Sequence, residues 1–325
     1  MKILLISSYA PEVLTLRGDM ILEMKQRGHE VLVAAPEPEV EALELKEKLK
    51  IKYRQIYMNR TGKNPFQDMK TLIQLIKLIN KEKPDSILTY TIKPVIYGSI
   101  AARVFGLENN YAMISGLGSI SRGQGVKNSI LKLIINTQYK IGLKGCKRVF
   151  FQNKDDRDEF IKRGLINKDK VVLINGSGVN LDRFSIGELP KSNTFIFIGR
   201  LLKDKGILEY FEAAKIVKNK YPNSHFRVLG GIDTNPSVIS EEILKEYVEG
   251  GYIEYLGVTK DVRPYLKESR IFVLPSYHEG TSRAALEAMA MGRPIITTDA
   301  PGCRETVIDG VNGFLVPIRD TNKLA

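Results

Sequence analysis

Short, continuous apolar runs alternate with longer helical segments along almost the whole chain. The first run, Lys2–Ser7, is apolar without alternation, which is typical of a strand buried on both faces of a sheet. Later runs are SILTY, YAMIS and RVFFQN in the first half and TFIFIG, HFRVLGG and IFVLPS in the second. Strands that alternate with helices predict an α/β fold built on doubly wound parallel sheets.

A polar stretch, residues 175–193, interrupts the alternation, which then restarts at TFIFIG. This predicts two Rossmann-like domains, residues 1–178 and 179–325, that face each other across a cleft. Ligands of open α/β sheets bind beyond the carboxyl ends of the strands. We therefore expect the functional residues in the turns that follow strands.

Composition excludes several classes of protein. Two cysteines, Cys146 and Cys303, and three scattered histidines do not form a disulfide scaffold or a zinc site. Asp156 and Asp158 form a D-x-D sequence, but they open a predicted helix, where acidic residues favour the helix dipole, so no metal site is expected. The longest apolar runs have about five residues and the amino terminus lacks a signal-peptide pattern, so we expect a cytoplasmic protein.

The net charge of +12 lies entirely in the first half of the chain. Residues 1–175 contain 30 Lys+Arg and 18 Asp+Glu, and residues 176–325 contain 19 of each. Residues 109–154 contain no acidic residue and include a predicted helix with Lys132, Lys140 and Lys144 on one face. Such a helix either presents a solvated lysine face or binds an anionic membrane surface. Nucleic acid is disfavoured because few aromatic residues interleave with the basic ones.

Two basic side chains flank the turn after the first strand of the second half. Arg200 and Lys205 belong to GRLLKDKG, which opens a helix. Basic residues oppose the dipole at a helix start, so a bound anion would explain them. Two cations and helix-start amides suit a diphosphate, and the alternative is an ordinary helix start with solvated charge.

Two glutamates, Glu279 and Glu287, lie on either side of another strand-to-helix turn, in PSYHEGTSRAALEAMAMG. Thr281 or Ser282 is expected to cap the helix that follows. Glu287 falls in a nearly apolar helix, where a carboxylate is costly without a partner. That partner is either Arg283, one turn earlier, or the diol of a ligand.

Together these motifs resemble the retaining family 4 glycosyltransferases, whose fold, GT-B, has two Rossmann-like domains. GRLLKDKG matches the family's G-R-x4-K-G motif, and Glu279 with Glu287 matches its E-x7-E motif. GVNLDRF (178–184) and DAPGCRETVIDGVNG (299–313) match two further segments, so the resemblance runs through essentially the whole chain.

The resemblance implies a UDP-sugar as donor substrate, no cofactor, and three catalytic residues. Arg200 and Lys205 would bind the donor diphosphate and stabilise it as it leaves. Glu279 would hold the donor sugar, and Glu287 the ribose hydroxyls. The other residues implied to line the donor site are Gly199, Gly230, Gly257, Val258, Gly280, Thr281 and Ser282.

Within the family the chain is similar to the N-acetylgalactosaminyltransferases that extend undecaprenyl-diphosphate-linked sugars in bacterial glycan assembly. GLGS (116–119), GQG (123–125) and PSYHEG carry this similarity. It implies an N-acetylhexosamine donor and a polyprenyl-diphosphate-linked acceptor at the inner face of the cell membrane. Gly116, Gly118 and Ser119 are the implied acceptor-side residues. Arg17 is a further candidate, because SSYAPEVLTLRG is predicted to be a loop that faces the cleft and DMILEMKQRG the helix after it.

Two features depart from the family. Ser115-Gly116 stands where many members have His-Gly, so no general-base histidine is expected. The chain ends at what resembles the start of a further helix, so we expect the second domain to continue in a longer protein. The alternative functions are a GT-B-like nucleotide-sugar epimerase and a non-catalytic nucleotide-sugar-binding partner of a membrane enzyme.

Overall fold

Parallel strand pairs form both sheets of the structure. The computed structural model describes residues 1–60, 62, 64–116, 126–232, 235 and 237–325. These residues form two compact units, unit 1 (Met1–Ser177) and unit 2 (Gly178–Ala325). Unit 1 contains a sheet of seven strands and unit 2 a sheet of six.

Unit 1 alternates strands and helices, as the apolar runs predict. Its elements are β1 (Lys2–Ile6), α1 (Ala10–Gln26), β2 (Glu30–Ala35), α2 (Leu43–Leu49), β3 (Lys52–Gln55), α3 (Pro65–Glu82), β4 (Ser86–Tyr90), a π-helix (Pro94–Gly98), α4 (Ser99–Val104), β5 (Asn110–Ile114), α5 (Val126–Lys144), β6 (Arg148–Phe151), α6 (Lys154–Lys162), a 3₁₀ turn (Lys168–Lys170) and β7 (Val171–Leu173). The strand order is β3-β2-β1-β4-β5-β6-β7. The order of connection therefore reverses between β1 and β4, and we call this place the switch point of the sheet.

Two apolar cores cover the two faces of this sheet. Leu4 and Ile6 of β1 pack into one core with residues of α3, the π-helix, α4, α5 and α6. Leu5 packs into the other core with residues of α1 and α2. Successive strand residues point to opposite faces, so a strand buried on both sides must be continuously apolar.

Helix α1 begins earlier than predicted. The segment SSYAPEVLTLRG was expected to be a loop, but the helix starts at Ala10, after an extended N-cap at Tyr9, and runs to Gln26. Pro11 lies in the first turn, where proline's fixed φ and missing N–H fit a helix start. Arg17 and Gly18 consequently lie within a helix and not in a loop, so that part of the prediction is wrong.

Two short elements, α2 and β3, have no counterpart in the predicted order. Helix α2 has seven residues and β3 has four, and β3 is an edge strand that pairs on one side with β2. Its sequence, KYRQ, is mostly polar. An edge strand of this kind lacks the continuous apolar pattern by which the other strands are recognised.

Unit 2 repeats the architecture with the order β10-β9-β8-β11-β12-β13. Its elements are β8 (Thr194–Ile198), a 3₁₀ turn (Lys203–Lys205), α7 (Ile207–Lys220), β9 (His225–Leu229), α8 (Glu241–Glu249), β10 (Glu254–Tyr255), α9 (Arg263–Lys267), β11 (Ile271–Leu274), α10 (Arg283–Ala290), β12 (Ile295–Thr298), a 3₁₀ turn (Arg304–Thr306), β13 (Gly313–Val316) and α11 (Thr321–Leu324). Its core joins β8, β9, β11 and β12 to α7, α8 and α10. The switch point lies between β8 and β11, which pair directly.

None of the helices in the described residues combines the length and apolar character that crossing a membrane would require.

Candidate functional site

The switch point of unit 2 brings together the two turns that the sequence singled out. One turn follows β8 and leads through residues 199–206 into α7, and the other follows β11 and leads through residues 275–282 into α10. Tyr277 N donates a hydrogen bond to Asp204 O at 3.0 Å, and Ser276 Oγ donates to the same carbonyl at 3.2 Å. The two turns therefore pack against each other where the strands end.

Glycines make this close packing possible. Gly206 has φ = 70°, and a Cβ at this position would lie 2.0 Å from Pro275 O. Gly230, at the end of β9, has φ = 154°, and its Cβ would lie 1.8 Å from Gly199 O. An alanine at either position would have to displace backbone atoms, so these glycines serve close backbone approach.

Lys205 and Glu279, one from each turn, form an ion pair. Lys205 Nζ lies 2.5 Å from Glu279 Oε1, and both side chains are largely buried. The backbone of Glu279 is fixed as well, because its N–H donates to Pro301 O at 2.8 Å. An ammonium group has three N–H donors, so Lys205 can hold Glu279 and still donate to an anion at the edge of the sheet.

The turn between Glu279 and α10 is closed by the helix cap. Ser282 Oγ accepts a hydrogen bond from Ala285 N at 3.2 Å, so Ser282 is the N-cap, and its side chain is buried. Of the two capping residues that the sequence allowed, the structure has Ser282 in this role. Thr281 Oγ1 donates to Gly280 O at 3.0 Å, on the side of the turn next to Glu279.

Glu287 pairs with the arginine one turn before it. Arg283 Nε donates to Glu287 Oε1 at 2.9 Å, and the Glu287 side chain is 14% exposed. Burial raises the pKa of the Glu287 carboxyl, and the Arg283 guanidinium opposes the rise. The bonded oxygen is Oε1, and within the described residues Oε2 makes no hydrogen bond. Arg283 and a ligand diol are therefore compatible partners, one for each oxygen.

The other predicted site residues of unit 2 lie at the same edge of the sheet. Gly199 and Arg200 directly follow β8, and the Arg200 side chain is exposed. Gly230 N donates to Gly257 O at 2.8 Å, which links the ends of β9 and β10. Val258 comes next, and its side chain is exposed.

A cluster around Tyr277 was not anticipated from the sequence. The Tyr277 hydroxyl donates to Glu209 Oε1 in the first turn of α7, and the Arg319 guanidinium carbon lies 4.8 Å from the centre of the Tyr277 ring. Burial raises the pKa of Tyr277 to about 12, and Glu209 contributes to the rise. The only sequence feature that could have indicated this cluster is the position of Tyr277 in the PSYHEG turn. Glu209 and Arg319 lie outside all of the motifs that match the family.

The predicted acceptor-side residues belong to unit 1. Arg17 is 3% exposed, its Nη1 donates to Ser177 Oγ at 2.8 Å, and its guanidinium carbon lies 5.0 Å from the centre of the Tyr90 ring. These contacts favour a role in anchoring the chain after β7 over direct contact with a ligand. Gly116 follows β5 with φ = 125°. Gly118 and Ser119 lie outside the described residues.

The basic helix predicted in residues 125–145 is present as α5 (Val126–Lys144), and its exposed face is more apolar than the sequence indicated. Ile130, Leu133, Ile134 and Ile141 are between 44% and 67% exposed. Tyr139 and Leu143 face the core instead. Lys140 and Lys144 are exposed beside the apolar residues, so the helix presents an apolar stripe flanked by positive charge.

Sequence profiles of two families match the chain. "Glycosyl transferases group 1" matches residues 192–325, and "Glycosyl transferase 4-like" matches residues 2–153. A Campylobacter jejuni enzyme named N,N'-diacetylbacillosaminyl-diphospho-undecaprenol alpha-1,3-N-acetylgalactosaminyltransferase is 30% identical, with 100% of this chain and 88% of that enzyme covered. An Escherichia coli enzyme named UDP-Gal:alpha-D-GlcNAc-diphosphoundecaprenol alpha-1,3-galactosyltransferase is 32% identical over 78% of this chain and 68% of its own.

Solved structures share the fold. A glycosyltransferase from Rickettsia africae superposes with a TM-score of 0.77 at 22% identity, over 99% of this chain and 86% of that one. Anabaena HepE in complex with UDP superposes with a TM-score of 0.77 at 16% identity, over 100% of this chain and 88% of that one. The predicted GT-B fold class, with two Rossmann-like parallel-sheet units, is confirmed.

Proposed function

Because the chain belongs to the group 1 glycosyltransferases, within the family 4 type, we propose that it moves a sugar from a UDP-sugar to a polyprenyl-diphosphate-linked saccharide. The donor sugar is an N-acetylhexosamine, N-acetylgalactosamine-like, and the product is a surface or glycoprotein glycan. The observation that carries the proposal is the Lys205–Glu279 pair, 2.5 Å long, at the switch point of unit 2. The names of the two relatives, which specify undecaprenyl-diphosphate acceptors, support the acceptor class.

In the proposed donor site each side chain has one task. Lys205 and Arg200 bind the donor diphosphate, because both lie at the carboxyl edge of β8. Glu279, fixed by Lys205, accepts hydrogen bonds from the donor sugar. Glu287 accepts hydrogen bonds from the ribose hydroxyls through the oxygen that Arg283 does not use. The turns at Gly230 and Gly257 allow the nucleotide to approach the backbone.

The reaction proceeds with retention of configuration. The relatives' names specify alpha-1,3 linkages, and the common UDP-hexoses are themselves α-anomers. The bond between the anomeric carbon and the diphosphate oxygen breaks, and the acceptor hydroxyl oxygen bonds to the same face of that carbon. The acceptor proton passes to the departing diphosphate oxygen. Arg200 and Lys205 stabilise the negative charge that develops on the leaving group, so no metal or cofactor is required.

A membrane surface is the proposed partner of unit 1. In parallel sheets the connecting helix runs back from the carboxyl end of a strand, so its first turns lie at the carboxyl edge. Phe66, Met69 and Ile73 form an exposed apolar stripe on the first half of α3, with Phe66 85% exposed. The α5 stripe also begins at this edge. Apolar stripes flanked by lysines fit the interface of an anionic bilayer, where each lysine contributes about 1 kcal/mol.

Calorimetric titration with UDP, GDP and ADP, with and without EDTA, tests the donor assignment. We expect selective UDP binding that EDTA leaves unchanged. Transfer of radiolabelled sugar from UDP-N-acetylhexosamines to a polyprenyl-diphosphate-linked saccharide then tests the reaction. Free epimerised donor without acceptor would indicate an epimerase, and UDP binding without turnover would indicate a binding partner.

Co-sedimentation with vesicles tests the membrane partner. We expect the protein to bind phosphatidylglycerol vesicles and to bind phosphatidylcholine vesicles weakly. Leu133→Ser should reduce binding to the anionic vesicles, whereas Leu181→Ser, at an exposed leucine of unit 2, should not. If both variants bound the anionic vesicles equally well, the α5 stripe would not be part of the membrane-binding surface.

A further inference from the structure

Unit 1 has a strained turn at its own switch point. Thr91, which directly follows β4, has φ = 68°, a conformation that β-branched residues rarely adopt. Its Oγ1 lies 2.9 Å from Oγ of Ser8, which follows β1, so a hydroxyl pair joins the two strands that flank the switch point. Strained residues of this kind concentrate at ligand sites, and ligands of open α/β sheets bind at this place. Lys93 follows two residues later.

The Lys93 side chain is held by a carboxylate from another helix. Lys93 Nζ donates to Asp68 Oδ1 at 2.5 Å, and the two side chains are 13% and 16% exposed. Asp68 lies in the first turn of α3. Burial and then the Asp68 carboxylate raise the pKa of Tyr97, whose hydroxyl accepts a hydrogen bond from Gln138 Nε2 of α5 at 3.4 Å. Tyr97 of the π-helix therefore interacts both with Asp68 of α3 and with Gln138 of α5.

Stability alone explains this ion pair poorly. Desolvation of two largely buried charges offsets most of their attraction, so such pairs add little net stability. An ammonium group has three N–H donors. Within the part of the chain that the structure describes, Asp68 is the one hydrogen-bond partner of Lys93, which leaves donors for an anionic ligand at the edge of the sheet.

The same device occurs at the switch point of unit 2. There Lys205 pairs with Glu279 at 2.5 Å, and the proposed ligand is the diphosphate of the donor. The proposed acceptor also carries a diphosphate, and the first half of the chain, in which Lys93 lies, holds the whole excess positive charge. Phe66 and Met69, the exposed apolar residues of α3, lie two residues before and one residue after Asp68. Lys93, which pairs with Asp68, therefore lies near exposed apolar residues that a bilayer could contact.

We propose that Lys93 binds the diphosphate of the lipid-linked acceptor and that Asp68 is the positioning residue that orients its ammonium group. This inference rests on the proposed function, because it takes a diphosphate-linked lipid as the acceptor. The nucleotide diphosphate is the other source of the same chemistry, and the test separates the two.

The variants are Lys93→Met, which removes the charge, Lys93→Arg, which keeps it, and the control Lys81→Met, which removes an exposed charge from the far end of α3. Each is titrated calorimetrically with farnesyl diphosphate in the presence of saturating UDP, and separately with UDP. K93M should weaken farnesyl diphosphate binding and raise the KM for the lipid-linked acceptor by about tenfold or more, the loss expected for one charged hydrogen bond. K93R should restore most of both, and K81M should match the wild type.

Three results would overturn the proposal. The first is wild-type behaviour of K93M, the second is an equal loss in K81M, and the third is a loss of UDP affinity in K93M, which would assign Lys93 to the donor. If K93M does not fold, Lys93→Gln replaces it, because the glutamine amide can still donate a hydrogen bond to Asp68 and keep the fold. Lys93→Gln also removes the positive charge, so it should weaken farnesyl diphosphate binding in the same way. Failure of the wild type to bind UDP would count against the proposed function itself, whereas normal transfer by K93M would count against this inference alone.

Discussion

Removing the Glu287 carboxylate tests the donor site most directly. The side chain is 14% exposed, Arg283 holds Oε1 at 2.9 Å, and burial raises its pKa. The other oxygen, Oε2, can accept hydrogen bonds from the two ribose hydroxyls. We therefore expect Glu287→Ala to lose most of its UDP affinity and to keep its fold.

The size of the loss follows from the bonds removed. A hydrogen bond to a charged group contributes about 1.5–3 kcal/mol, so two such bonds contribute about 3 kcal/mol at the lower limit, or roughly 100-fold in Kd. The fold should survive the substitution, because the raised pKa of Glu287 shows that burial disfavours this carboxylate more than Arg283 stabilises it.

A thermodynamic cycle isolates the contact with the ribose. Wild type and E287A are each titrated with UDP and with 2'-deoxy-UDP. The wild type should prefer UDP by about tenfold, the loss expected for one hydroxyl, and E287A should bind the two equally. Glu249→Ala, which removes an exposed i,i+4 partner of Lys245, is the control. Wild-type affinity in E287A, or a preserved preference for UDP, would refute the ribose assignment.

The pH dependence of this site has a definite sign. Because the folded-state pKa of Glu287 is raised above 4.5, the folded protein binds this proton more tightly than the unfolded chain does. The contribution of Glu287 to the free energy of unfolding therefore increases as the pH falls through the raised pKa. Affinity for UDP should change in the opposite direction, because the ribose needs the ionised form. E287A should lose this part of the pH dependence.

Three further outcomes follow from the geometry of the site and from the buried thiols. Gly206→Ala should lower the free energy of unfolding by about 3 kcal/mol or more, as measured by urea titration. The control is Gly251→Ala, which has the same φ of 70° but whose Cβ would have no atom within 4 Å, and it should lower the free energy of unfolding by about 1–2 kcal/mol. Tyr277→Phe, which loses the anchor of its turn to α7, should raise the KM for the UDP-sugar and leave the Kd for UDP unchanged. Cys146 and Cys303 should resist Ellman's reagent at pH 8 until the protein unfolds, because burial raises their thiol pKa values to about 11 and about 12.

The sequence predicts much of the donor site because a parallel sheet places the ends of all its strands at one edge. Lys205 and Glu279 are 74 residues apart, yet each follows a predicted strand, so the sequence predicts that both lie at one edge of the sheet. Their contact also requires that β8 and β11 be neighbours, which the structure shows. The alternation of apolar runs predicts the strands for the same reason, since strands buried on both faces cannot be polar.

Contacts between side chains that depend on tertiary packing could not be predicted from the sequence pattern. The sequence analysis placed Arg17 in a loop and missed Pro11, which lies in the first turn of the helix that the structure shows. Lys93 and Asp68 lie on different helices, 25 residues apart, and no local pattern pairs them. Local propensity is outweighed by packing at such places.

The division of charge between the two halves of the chain assigns them different physical tasks. Residues 176–325 have no net charge, so UDP binding there depends on a few cations held close to the diphosphate, which salt screens weakly. Residues 1–175 carry the whole excess of 12 positive charges, which acts over the Debye length of about 10 Å at 0.1 M salt. Raising the ionic strength should therefore release the protein from anionic vesicles well before it weakens UDP binding. If the affinities for vesicles and for UDP fell in parallel, the positive charge of the first half would contribute to nucleotide binding and not to membrane binding.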